Sequence, residues 1–295
     1  MARTHFLGRD KVVYTMDPKA QPALRISPGD TVVLETRDAL DNVIARADQL
    51  PVDIDFSHVL PATGPIYVEG AEPGDTLEII FQGIAPAAQG LSVIIPNFGF
   101  LAAEFPNPYT KIIPLREGFG DFAPGIRIPL RPFPGVVGVA PAGEPVANIP
   151  PGDYGGNLDN KDIVVGTTLV LPVFVPGALL AIGDCHAAQG DGEVCGTAIE
   201  CDATITMQIN LHKAEHILRP RLETPTAYIT IAYGKTLEEA TKQALLDMID
   251  YLQTEKGLSR EDAYILCSLA VDLRITQLVD VLPAVRAVLP KAIFV

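Results

Sequence analysis

The segment IVVGTTLVLPVFVPGALLAIG, residues 163 to 183, runs 21 positions without a charge. A helix of that length spans a bilayer. Pro172, Pro176 and three glycines interrupt the run, and its Val, Ile and Thr content suits strands. It is therefore read as two buried strands joined by a turn, and no part of the chain as a membrane span.

The same texture extends outward. Through residue 225 the prolines and glycines punctuate short apolar runs, the spacing of an all-β sandwich or barrel. SPGDTVVLE (27 to 35) and EPGDTLEII (72 to 80) show one device twice: Pro-Gly sets a turn, Asp-Thr leaves it and a strand follows. Residues 96 to 157 are the richest in Pro and Gly and read as loops laid over the β scaffold, where specificity resides. From Ala227 the pattern changes. AYITIAYG reads as a strand, Thr236 and Glu239 form a capping box, and Leu237, Ala240, Ala244, Met248 and Leu252 share a helical face that ends at Gly257. Ser259 and Asp262 start a second helix, and a strand follows around DLRITQLV. The expected fold is mainly β (sandwich- or barrel-like) over residues 1–225 with a C-terminal α/β layer over 226–295, α+β overall. That layer is assigned no chemistry.

At 295 residues and 48% hydrophobic, the chain can bury a sizeable core. Its 36 acidic and 22 basic residues leave a net charge of -14, and no Lys/Arg cluster is present, which opposes nucleic acid and anionic membrane as partners. A small neutral or cationic ligand is admitted more easily. MARTHFLGRDKVVYTMD lacks a secretory pattern and the four cysteines lack a disulfide framework, so a reducing cytoplasm is expected.

Five acidic or imidazole side chains crowd GDCHAAQGDGEVCGTAIE (183 to 200): Asp184, His186, Asp191, Glu193 and Glu200. On a strand Asp184 and His186 project side by side, and so do Asp191 and Glu193 if a second strand starts there, giving a hairpin with ligands at its tip. The i, i+2 pattern recurs at Asn157 and Asp159, and at Asp53 and Asp55 with His58 nearby. Such a set is either a divalent-metal site, Zn²⁺ by its His-plus-carboxylate donors, or a solvated hairpin end. For Asp53, Asp55 and His58 a solvated loop stands against a second, hard-ion site such as Ca²⁺.

That run closely resembles the signature of the acetamidase/formamidase family. The resemblance extends to SPGDTVVLETRDA (27 to 39), ATGPIYVEGAEPGDTLEI (62 to 79), GGNLDNKDIVVGTTLVLPVFVPGALLAIGD (155 to 184) and the tail LPKAIF (289 to 294). It implies hydrolysis of short linear amides to carboxylate and ammonia, a mainly β fold with an α/β C-terminal part, and a divalent metal in the site. On that basis Asp184 and His186 are expected as metal ligands, with Asp159 and either Asp38 or Glu35 completing the set. Glu193 or Glu200 is expected to move the proton, and Gln189 and Asn157 to bind the amide.

Three competing readings accompany it. Glu193, Cys195 and Lys161 could form a Cys-nucleophile amidase, with Cys195 and Glu193 on one strand face. The chain could also be a non-catalytic, metal-stabilised β protein that binds a small ligand. His212, Glu215 and His216 match the H-x-x-E-H zinc-peptidase motif, but that chemistry needs a helix and the segment reads as a strand end and turn. A homo-oligomer, a dimer first, is expected from a β-rich surface with few charges.

Overall fold

A computed structural model describes residues 2–52 and 54–295, and twenty-two strands and two α-helices lie among them. The largest sheet has nine strands. At one edge Thr4–Leu7 runs parallel to Thr31–Thr36; Ala203–His212, Thr76–Pro86, Thr168–Pro172, Arg221–Glu223, Ala227–Tyr233, Ala284–Pro290 and Asp272–Gln277 follow in that order. A second sheet carries Pro151–Gly152, Gly155–Asn157, Phe133–Gly138, Leu180–His186, Ala62–Val68 and Val12–Val13, with Leu24–Ile26 also on Ala62–Val68. One apolar core joins the two sheets: Val32, Leu34, Leu77, Ile79 and Ile205 of the first pack with Ile66, Phe133, Val137 and Ile182 of the second. The fold is mainly β with a C-terminal α/β part.

The uncharged stretch does form two buried strands, Thr168–Pro172 and Leu180–His186, with Leu169, Leu171, Leu180 and Ile182 fully buried. They are not a hairpin. The first lies in the nine-stranded sheet and the second in the other, and the chain crosses between them through Gly177, Ala178 and Leu179, all at positive φ. A run apolar on both strand faces is what a connection through the middle of a sandwich requires.

Both Pro-Gly-Asp-Thr segments make the same turn. The Ser27 N–H donates to Asp30 Oδ2 at 3.0 Å and the Glu72 N–H to Asp75 Oδ2 at 2.8 Å, and strands begin at Thr31 and Thr76. Residues 96 to 157 hold more strand than a loop reading allows. Tyr109–Arg116, Phe119–Ala123 and Ile126–Pro129 form a sheet with Gln89–Ile94, and Phe133–Gly138 is wholly buried. Pro114, Pro129, Pro134 and Pro151 sit within or at the ends of short strands, so they break strands up without abolishing them.

The helices Leu237–Lys256 and Arg260–Ala270 are capped as expected. Thr236 Oγ1 accepts the Glu239 N–H, Gly257 closes the first helix at φ 69, and Ser259 accepts the Asp262 N–H. Ala240, Ala244, Met248 and Leu252 pack on Ala232, Val285, Ala287 and Leu289 of the adjoining strands. His212 is the last residue of a strand and a turn follows, so the H-x-x-E-H triplet lacks the helix that peptidase chemistry needs.

Candidate active site

His186 ends the strand Leu180–His186, paired across from Phe133, whose ring meets the imidazole edge-on at 5.0 Å. The chain loops out and returns: the Ala187 N–H donates to Ile199 O, the Ile199 N–H to Ala188 O, and Glu200 forms a β-bridge with His186. The loop neck thus brings Glu200 Oε2 to 3.2 Å from His186 Nε2. Asp184 Oδ1 lies 3.3 Å and Glu193 Oε1 4.0 Å from the same nitrogen, and Asp159 Oδ1 lies 3.8 Å from Nδ1. Two buried groupings share the histidine, Asp184–His186–Glu200 and Asp159–His186–Glu193.

Three of these acids hold left-handed backbone, Asp159 at φ 41, Asp184 at φ 53 and Glu193 at φ 45. Such conformations cost about 1 kcal/mol or more each and persist where the surrounding structure enforces them. Gly135 supplies part of that enforcement. Its carbonyl accepts the N–H groups of Leu158 and Asp159, and a Cβ on it would stand 2.5 Å from Asp159 Oδ1 and 2.6 Å from Asp184 Oδ2. Only a glycine leaves room for both carboxylates against that strand.

The pocket walls are Leu40, Phe56, Val59, Ile95, Phe98 and Ile149, and at its floor lie Asn157, Asp159, Asp184, His186, Glu193, Glu200 and Asp280. Five carboxyl groups face one imidazole, and no Lys or Arg lines the pocket among the described residues. Burial raises the carboxyl groups of Asp159 and Glu193 well above the usual range, Glu200 to about 7 and Asp280 to about 8; mutual repulsion adds to each. Burial alone would lower His186, but the charges of Glu200 and Asp184 outweigh it and raise it well above its ordinary value. Both oxygens of Asp159, Asp184 Oδ1, Glu200 Oε2, Asp280 Oδ2 and Asn157 Oδ1 are buried with no hydrogen-bond donor. Buried acceptors left unpaired are costly. Carboxylate oxygens and one imidazole nitrogen converging without donors form a set that fits a divalent cation.

The expected residues fall into distinct places. Asp184, His186, Asp159, Glu193, Glu200 and Asn157 meet at the pocket. The hairpin does not form: glycines at 190, 192 and 196 turn the chain, Glu193 reaches the pocket from a turn, and the next strand starts at Ala203. Asp191 faces away, held by Lys161 at 3.0 Å and the fully buried Arg286 at 2.6 Å. Glu35 and Asp38 belong to neither grouping. Glu35 shares the half-exposed strand face of Thr31 and Val33, opposite the core face of Val32 and Leu34, and Asp38 Oδ1 accepts the N–H groups of Leu40 and Asn42 to cap a turn. Gln189 is not free to grip a substrate, since its amide is committed to His186, Asp159 and Thr276.

Cys195 Sγ donates to Thr197 O at 3.3 Å and does not line the pocket, while Lys161 is paired with Asp191. The Glu-Lys-Cys set is not assembled. Asp53 lies outside the described residues; Asp55 and His58 form an exposed pair at 2.8 Å. Asp280 went unrecognised in the sequence. It sits beyond the strand Asp272–Gln277, in the layer assigned no chemistry, and no motif or spacing marks it.

The family model for the acetamidase/formamidase family matches residues 9–148 and 142–295. The chain belongs to that family. Among curated family relatives, an acetamidase of Mycolicibacterium smegmatis is 28% identical over 265 residues (66% of this chain, 64% of the relative), and a formamidase of Methylophilus methylotrophus is 27% identical over 337 (87% and 82%). The chain thus spans just under two thirds of the length of the mycolicibacterial enzyme. The crystal structure of an acetamidase from Bacillus halodurans superposes with a TM-score of 0.95 at 42% identity, covering 98% of both chains.

Proposed function

We propose that the protein hydrolyses short linear amides, of the formamide and acetamide type, to a carboxylate and ammonia at the His186 pocket. The observation that carries the reading is the buried convergence of Asp184, Glu200 and Glu193 on His186 Nε2, with Asp184 Oδ1 and Glu200 Oε2 left without a hydrogen-bond partner, in a member of this family. Asp184, His186 and Glu200 would hold a divalent ion, Zn²⁺ by the donor set, with Asp159 in reserve on the Nδ1 side. When bound, such an ion acidifies water and polarises a carbonyl.

The chain's own groups account for the rest. Glu193, buried and raised well above its ordinary range, is suited to take a proton from water and return it to the departing nitrogen. Asn157 Oδ1, buried without a donor, would accept an N–H of the amide. The pocket is about 60 Å³, room for about four waters at the size one water needs, so a ligand of a few heavy atoms fits. Phe56, Phe98, Ile95 and Leu40 keep water out and favour a short acyl chain.

Ammonia release from formamide, acetamide, propionamide and hexanamide tests this reading. Turnover that falls steeply beyond propionamide is expected; equal turnover of hexanamide, or none of any amide, would contradict it.

A further inference from the structure

We infer that Gln189 is a positioning residue that fixes which nitrogen of His186 is presented to the carboxylates, an inference that rests on the divalent-ion reading above. The two ends of the Gln189 amide are told apart by their partners. Nε2 lies 3.0 Å from the Asp159 carbonyl and 3.3 Å from the Thr276 carbonyl, groups that only accept. The amino group must therefore be there, and the flipped amide would set an oxygen against two oxygens.

Gln189 Oε1 then faces His186 Nδ1 at 2.8 Å. A carbonyl oxygen only accepts, so Nδ1 carries the hydrogen and donates it. The nearest carboxylate atom to that nitrogen, Asp159 Oδ1 at 3.8 Å, is beyond hydrogen-bond reach. Imidazole ligates a metal through its unprotonated nitrogen, and the hydrogen bond made by the other nitrogen decides which one that is. In His186 it is Nε2, the atom that faces Asp184, Glu200 and Glu193. Gln189 thereby links the ring to the Asp159 loop and to the C-terminal strand Asp272–Gln277, so one amide registers three segments on one imidazole.

Two substitutions separate the acceptor from the donor role. Gln189→Glu keeps an acceptor for Nδ1–H and loses the amide donors; Gln189→Leu loses both. Zn²⁺ affinity is measured by competition with a chromophoric chelator, and the ligating nitrogen is read from ¹⁵N spectra of histidine-labelled, Cd²⁺-loaded protein. The expected results are Cd²⁺ on Nε2 with a solvent-protected Nδ1–H in the wild type, a loss of roughly 10- to 100-fold in Zn²⁺ affinity in Gln189→Leu, and a smaller loss in Gln189→Glu, which keeps the acceptor for Nδ1–H but sets an oxygen against the Asp159 and Thr276 carbonyls. Equal weakening of both variants would mean that the donor bonds alone matter and would overturn the inference. So would Cd²⁺ on Nδ1 of the wild type, a result that needs no variant to fold. Wild-type protein that binds neither ion overturns the divalent-ion reading itself, a separate result from either of these.

Discussion

His186 Nε2 lies 3.2 Å from Glu200 Oε2 because a β-bridge joins the two residues at the neck of the 187–199 loop. Glu200 is held from its other oxygen as well, since Oε1 accepts the Ala198 N–H at 2.7 Å. The carboxylate is therefore fixed before any ligand arrives. Glu200→Gln preserves this geometry and removes the charge. It is expected to weaken Zn²⁺ binding at neutral pH by about tenfold or more, with unchanged circular dichroism. Undiminished affinity would remove Glu200 from the ligand set.

Gly135 makes the most severe steric prediction. A methyl group there meets two carboxylates at about van der Waals overlap, and both belong to backbone segments in left-handed conformation. Gly135→Ala should give a folded protein whose Zn²⁺ binding and ammonia release both fall by at least tenfold, as expected when ligands are displaced by about 1 Å. A variant with wild-type affinity would show that the two carboxylates do not act together.

The raised acids predict how ion affinity depends on pH. Glu200, at about 7, is largely protonated at pH 6, and that proton competes with a cation for its oxygens, while Asp280, at about 8, holds a proton in the same pocket. Divalent-ion affinity should therefore climb from pH 6 to pH 8, with protons released on binding. Titration calorimetry in two buffers of different ionisation enthalpy counts those protons. A pH-independent affinity without proton release would contradict the assignment.

The same acids destabilise the ion-free protein. Burial first, and then the charges of Glu193 and Asp184, raise Asp280 in the folded state, while in the unfolded chain it ionises at about 4. Because the folded form holds the extra proton, ion-free stability falls as pH rises through that window. Asp280→Asn should therefore be more stable than wild type at pH 8, by on the order of 1 kcal/mol, with the difference closing toward pH 4. Denaturant melts of chelated protein at both pH values measure it; a variant less stable at pH 8 would contradict the repulsion argument.

What the sequence made legible was local. SPGDT and EPGDT announced two turns whose Asp30 and Asp75 carboxylates make the same bond, and Thr236, Gly257 and Ser259 marked the helix ends, because each signal is completed within a few residues. Asp184 and His186 could be paired because strand periodicity carries across two positions. Periodicity misled at Asp191 and Glu193, where glycine turns replace the strand and aim one acid at Arg286 and the other at the pocket. Asp280 and the role of Gln189 were out of reach. Each depends on a contact between distant segments, Asp280 with Asp159 and Gln189 with Thr276, that leaves no local trace. Glu35 and Asp38 lie within the family-like segment 27–39, but strand alternation turns the first outward and turn capping occupies the second.

Metal dependence is decided by ammonia release from formamide and acetamide by one preparation at three stages: as purified, after complete removal of metal by a chelator, and after return of Zn²⁺, with metal content measured on the same samples. Ammonia release is expected to disappear with the metal and to return with about one equivalent or more of Zn²⁺ per chain, and the Asp184→Asn, His186→Ala double variant is expected neither to retain the ion nor to recover. Full turnover by protein shown to be free of metal would contradict metal dependence.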